Sequence, residues 1–138
     1  MSDPSEALQR AIYDRLRSDA AVAALVAGRV FDLVPQDNPP AFPYVSFGAF
    51  QVLDDSAGCI DGAEVFVTLD VWARAQGTVE AKRICAAVAS ALHDADLSLG
   101  GEHRLVEITR NSSNVFMDAD GLTAHGVITL RALTEAAT

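Results

Sequence analysis

The sequence has 138 residues, half of them hydrophobic and about a fifth charged, with nine Gly and five Pro. That is the size of a single domain, 1–138, and it excludes wholesale disorder and the collagen-like and low-complexity classes. Ten basic against nineteen acidic side chains leave a net charge of -9, with Lys82 the single lysine, so no basic face is available to grip a phosphate backbone.

The start, Met1-Ser2-Asp3-Pro4-Ser5-Glu6, has no positive segment leading into an apolar one, and no stretch nears the roughly 18 apolar residues that span a bilayer. A soluble chain that is not exported is expected. Asp3 as cap, Pro4 at the first helical position and Glu6 three residues after the cap predict a helix to about Arg17, with Leu8, Ile12 and Leu16 on one stripe. Asp19 caps a second short helix, 20–26, which Gly28 ends in the left-handed conformation. Residues 30–34 read as a short strand. Pro35, Pro39, Pro40 and Pro43 then enforce an extended, stiff connection over 35–43.

Residues 44–53 are rich in aromatic and β-branched side chains and read as a strand, followed by a tip at 54–62 and a second arm at 64–74. In that arm Val65, Val67, Leu69, Val71 and Ala73 alternate with Glu64, Phe66, Thr68, Asp70, Trp72 and Arg74, so the first set is assigned to the core. Phe66 and Trp72 on the other face call for cover, either from the N-terminal helices as a second layer or from a neighbouring subunit. Thr78 caps the main helix, 78–93, with Ala81, Ile84, Cys85, Val88 and Leu92 on its apolar stripe. Strands at 103–111 and 122–134 follow, joined by a polar turn region from Asn111 to Gly121. The order α-α-β-β-β-α-β-β predicts an α+β fold: a mostly antiparallel sheet of four to five strands, one main helix packed on it and two short N-terminal helices.

Chemistry finds little support. His93, His103 and His125 sit on separate elements, without zinc-ligand spacing. Asp118-Ala119-Asp120-Gly121 lacks the remaining positions of a calcium loop and reads as a turn, and Asp54, Asp55 and Asp61 read as a solvated acidic tip. Cys59 and Cys85 have no C-x-x-C spacing and are assigned as free thiols; Cys85 lies on an apolar stripe and Cys59 among aspartates, so neither is an activated nucleophile. There is no G-x-S-x-G elbow, phosphate loop or dinucleotide fingerprint; Gly100-Gly101 continues into Glu102-His103. No cofactor, metal site or catalytic residue is assigned, and an enzyme is the weaker hypothesis.

The run Leu25-Val26-Ala27-Gly28-Arg29-Val30-Phe31-Asp32, then Pro35, Pro43-Tyr44-Val45, Val71-Trp72-Ala73-Arg74 and Glu80-Ala81-Lys82, resembles the tail-completion or tail-terminator family of long-tailed phages and gene transfer agents. The resemblance continues through His93-Asp94-Ala95, Leu97, His103-Arg104-Leu105-Val106, Asp118-Ala119-Asp120-Gly121, His125-Gly126 and Arg131. It covers nearly the whole chain, and the alanine- and arginine-rich composition looks like the gene-transfer-agent branch. The segment 36–42 is longer and richer in proline than the family's loop.

The resemblance implies a structural subunit that forms a six-membered ring on the last ring of the tail tube, halts tube growth and meets the head-side connector. The implied partners are copies of itself, the tube protein and the connector or stopper, with DNA only in passage and no membrane. The implied places are the bacterial cytoplasm during assembly and then the tail–head junction of the particle. The expected subunit or tube interface comprises Asp54, Asp55, Ile60, Asp61, Phe66, Trp72, Val115, Phe116, Asp118 and Asp120. The tip 54–62 and the turn 112–121, being weakly self-packed, are expected to order on assembly. The acidic balance gives a channel wall that repels phosphate over about 8 Å. Two other readings compete: another head–tail connector subunit, and a ligand-binding or catalytic domain with a pocket between helix 78–93 and the sheet.

Overall fold

The computed structural model describes residues 3–137; Met1 and Ser2, on which the reading of the N-terminus partly rests, lie outside the described residues. Helix α1 spans Ser5–Ser18 and buries Leu8, Ile12 and Leu16 completely. Pro4 stands at its cap position, so it begins one residue later than its sequence signals predict; Asp3 still accepts a hydrogen bond from the Ser5 amide. Helix α2, Ala20–Val26, is capped by Asp19, whose Oδ1 accepts from the Ala21 and Val22 amides. Its left-handed exit uses Ala27 as well as Gly28, at φ 51° and 76°.

Strand β1 is only Val30–Phe31 rather than 30–34, because only those residues find partners, pairing parallel with Val45 and Ser46. Arg29 fixes this crossing, its Nε donating to the Pro43 carbonyl. Strands β2 (Tyr44–Asp54), β3 (Gly62–Ala73), β4 (His103–Met117) and β5 (Ala124–Ala136) pair antiparallel in the order β1-β2-β3-β5-β4. Helix α3, Val79–Leu92, crosses between β3 and β4, with Thr78 at its cap position but making no side-chain cap bond. The expected α+β element order and mostly antiparallel sheet are found.

The turn region expected over 111–121 is largely strand. Asn111 is absorbed in a bulge between Arg110 and Ser112, and Ser112, Ser113 and Asn114 pair with Thr129, Ile128 and Val127. Polar side chains there do not interrupt the ladder, because it is made by backbone groups and an outer strand keeps one edge in water. The turn proper shrinks to residues 118–123.

One buried cluster joins α1, α2 and α3 to the predicted face of β3, with Val65, Val67, Leu69 and Val71 fully buried. α3 lies directly on the sheet. A Cβ at Gly126 would fall inside 3.0 Å of the Cys85 sulfur and stand 3.3 Å from Val71 Cβ, leaving no pocket between helix and sheet at that point. Burial pushes the Cys85 thiol up to about 11, whereas Cys59 is exposed. A thiol reagent is therefore expected to titrate one cysteine rapidly in the native chain and the second only on unfolding, as two phases of absorbance would show.

Candidate assembly surface

All three helices share one cluster and pack on each other, on β1 or on the Val65–Val71 face, so among the described residues the opposite face of the sheet has no helical layer. The N-terminal helices therefore do not cover Phe66 and Trp72, and that alternative is corrected. Both side chains are nevertheless half-buried, and Trp72 is held by a cross-strand network. Trp72 Nε1 donates to Ser46 Oγ at 3.0 Å, and its ring stacks on His125 with centroids 3.9 Å apart. His125 Nε2 lies 2.7 Å from Asp70 Oδ1, and Phe116 packs on the imidazole at 5.0 Å. About 20 Å further along the same face, next to Phe66 in register, Arg131 Nε donates to Glu64 Oε2. Residues of four strands thus fix Trp72, His125 and Phe116 in one cluster on this face, the kind of rigid aromatic group that interfaces favour.

The ten residues expected at an interface separate into four places. Phe66, Trp72 and Phe116 lie on or at the end of this open face. Val115 does not: it pairs with Gly126 and packs partly against the core. Asp54, Asp55, Ile60 and Asp61 form the β2–β3 tip, beside Gly62 at one end of the sheet. Asp118 and Asp120 form the β4–β5 turn at the other end, beside the Met117–Ala124 pair.

Both loops organise themselves. In the tip, Asp54 Oδ1 accepts from the Ser56 amide and, at 2.7 Å, from its hydroxyl, while Ala57 and Ile60 form a bridge. These bonds hold the Asp54 carboxyl below its ordinary value. In the turn, Asp120 accepts from the Leu122 and Thr123 amides and the Thr123 hydroxyl, and Arg74 approaches to 3.8 Å. The tip residues 54–60 nevertheless remain exposed, so these loops are shaped by local hydrogen bonds and little by packing.

The same bonds, chiefly those from the two amides, lower the Asp120 pKa from 3.8. A depressed folded value means that the contribution is present above 3.8 and is lost as pH falls through the folded value. Protection of the Leu122 and Thr123 amides against hydrogen exchange is expected to fall in that acid window, and in Asp120→Ala to be weak already at neutral pH.

Sequence reasoning missed the set that joins Ser46, Asp70 and His125 to Trp72, and the separate Glu64–Arg131 pair. Alternation placed Asp70 on the wet face, but its partner depends on the β3–β5 register, which pairs Trp72 with His125. Among the described residues no group of three or more His, Cys, Asp or Glu side chains is placed to hold a metal ion, and no helix is long and apolar enough to cross a membrane.

A family model described as tail completion protein gp17 matches residues 10–135. The chain belongs to that family. It is a structural tail-completion protein of the phage and gene-transfer-agent kind, not an enzyme. A chain in the virion of the native gene transfer agent particle is 36% identical, with 98% of this chain and 99% of that chain covered and a TM-score of 0.89. Bacteriophage SPP1 gp17 protein is 25% identical over 93% of this chain and 88% of that one, with a TM-score of 0.60. No functionally curated protein matches.

Proposed function

We propose that the chain forms a ring, six-membered in keeping with the resemblance, on the last ring of the tail tube, ends tube polymerisation and joins the tail to the head-side connector. Its copies and these two partners would meet in the bacterial cytoplasm during assembly and remain together at the tail–head junction, with DNA passing through. The observation that carries this reading is the open sheet face, where Trp72, His125 and Phe116 are held by hydrogen bonds and stacking instead of by a covering helix. The size also allows it. Two ring neighbours, a tube face and a connector face at about 800 Å² each take less than half of the 7411 Å² exposed by one chain.

A deletion strain tests the reading by electron microscopy. Overlong or headless tails support termination, whereas tails of normal length left unattached indicate a head-side connector. Trp72→Ala separates surface from core. It is expected to keep the native circular dichroism spectrum and to weaken assembly by about 2 kcal/mol per contact, roughly 30-fold, as sedimentation would report.

A further inference from the structure

Acidic side chains occur along the whole chain, but the basic ones avoid one long stretch of it. From Val30 to Ala73 there is no Lys, Arg or His at all, while Asp32, Asp37, Asp54, Asp55, Asp61, Glu64 and Asp70 fall in that span. Elsewhere, seven of the ten Lys and Arg side chains bind a carboxylate, a carbonyl or a ring within the chain. Among the described residues the side chains of Lys82, Arg83 and Arg110 make no such contact. Two of them stand on α3 and the third on β4, which packs beside it. Lys82, Ala86, Ser90 and His93 follow one outward face of α3, Arg83 lies beside it, and Arg110 reaches it from β4. A cleft of about 370 Å³, floored by Ala86 and Ala89 and bounded by Ser90, His93 and Arg110, opens there; Lys82 and Arg83 stand about one turn before it on α3, and Asp94 lies 3.4 Å from His93 at its far end.

Sheet order puts this cleft on the β4 flank and the acidic tip on the β2 side, with β3 and β5 between. Three strand spacings, about 14 Å, separate β2 from β4. Complementary patches on opposite flanks of one chain define a head-to-tail contact between copies, the kind that closes into rings. The tip carries an apolar group suited to the alanine floor, since Ile60 is 54% exposed at its end.

We propose that the β2–β3 tip of one copy docks in the α3–β4 cleft of the next, with Ile60 on Ala86 and Ala89 and the Asp54 and Asp55 carboxylates facing Lys82, Arg83 and Arg110. This rests on the ring reading and gives its subunits a direction. The bonds from Ser56 hold Asp54 ionised and shape the tip before contact, which reduces the ordering cost of docking.

Charge reversal tests it. A tip variant (Asp54→Lys with Asp55→Lys) and a cleft variant (Lys82→Glu, Arg83→Glu and Arg110→Glu) are each expected to raise the concentration for half-assembly at least about tenfold, while their mixture, which restores opposite charges at every contact of an even-membered ring, returns to within about twofold of the unmodified chain. A second measurement uses native charges: with Ser90→Cys and the oxidant diamide, Cys59 is expected to give a ladder of covalent multimers ending at the closed ring, and an Ala24→Cys control on α2 none. If the unmodified chain forms no closed assembly, alone or on tail tubes, the ring reading fails. If it assembles but Cys59 does not couple to the thiol introduced by Ser90→Cys above the control, or both charge variants assemble undiminished, the tip–cleft contact is overturned and the ring stands.

Discussion

Gly126→Ala is expected to destabilise the fold by about 2–3 kcal/mol, through overpacking rather than loss of any contact. Gly126 faces α3 from the middle of the sheet, opposite Val71, and an added Cβ would overlap the Cys85 sulfur. Both neighbours resist displacement: Val71 is fully buried in the central strand, and Cys85 is pinned in the helix that packs on three strands. Alanine's better strand entropy returns only about 0.5–1 kcal/mol. Cys85→Ala removes the obstructing atom, so the double variant is expected to be more stable than Gly126→Ala alone. Urea denaturation of the four chains gives the coupling directly. A melting temperature about 10 °C lower is expected for Gly126→Ala; an unchanged value would mean that α3 can stand further from the sheet than it does.

Leu69→Ala is expected to cost about 3–4 kcal/mol, within the range for emptying a large site in a packed interior. Leu69 is fully buried at the centre of β3, between Phe47 on one side and Ile128 on the other. Against a total stability of roughly 5–15 kcal/mol, this single change brings the chain near the point where a sizeable fraction unfolds on warming. Leu33→Ala is the control: the side chain is 83% exposed and its loss is expected to move stability by no more than about 0.5 kcal/mol. The contrast with Trp72→Ala is equally informative, because one strand then shows two separable losses, of fold on one face and of assembly on the other.

The two faces of β3 were legible because strict alternation over Glu64–Ala73 admits only one buried set. The caps and stripes of α1 and α2 were legible for the same kind of local reason: Asp19 and the Leu8–Ile12–Leu16 spacing carry their own geometry. What could not be read was where elements meet. Composition marked Asn111–Asn114 as loop, yet partner residues in β5 extend the ladder through them. Phe66 and Trp72 announced a need for cover, but which side α1 and α2 occupy depends on the route of the chain through 35–43. His125 gave no local signal at all; its meeting with Asp70 and Trp72 is a product of register. The family resemblance, by contrast, rested on the order of many weak turn and core fragments, and a whole-chain pattern of that kind survives even where individual loops are misread.

Both outer regions of the sheet carry interruptions: β2 between Phe47 and Phe50, β4 between Leu105 and Glu107 and again between Arg110 and Ser112. Such kinks break the straight run of free amides and carbonyls that another chain could zip onto. A chain with unpaired strand edges faces the hazard of indiscriminate fibre growth through its backbone. Irregular rims steer encounters away from that outcome, so recognition falls to side chains, where stoichiometry and direction can be specified.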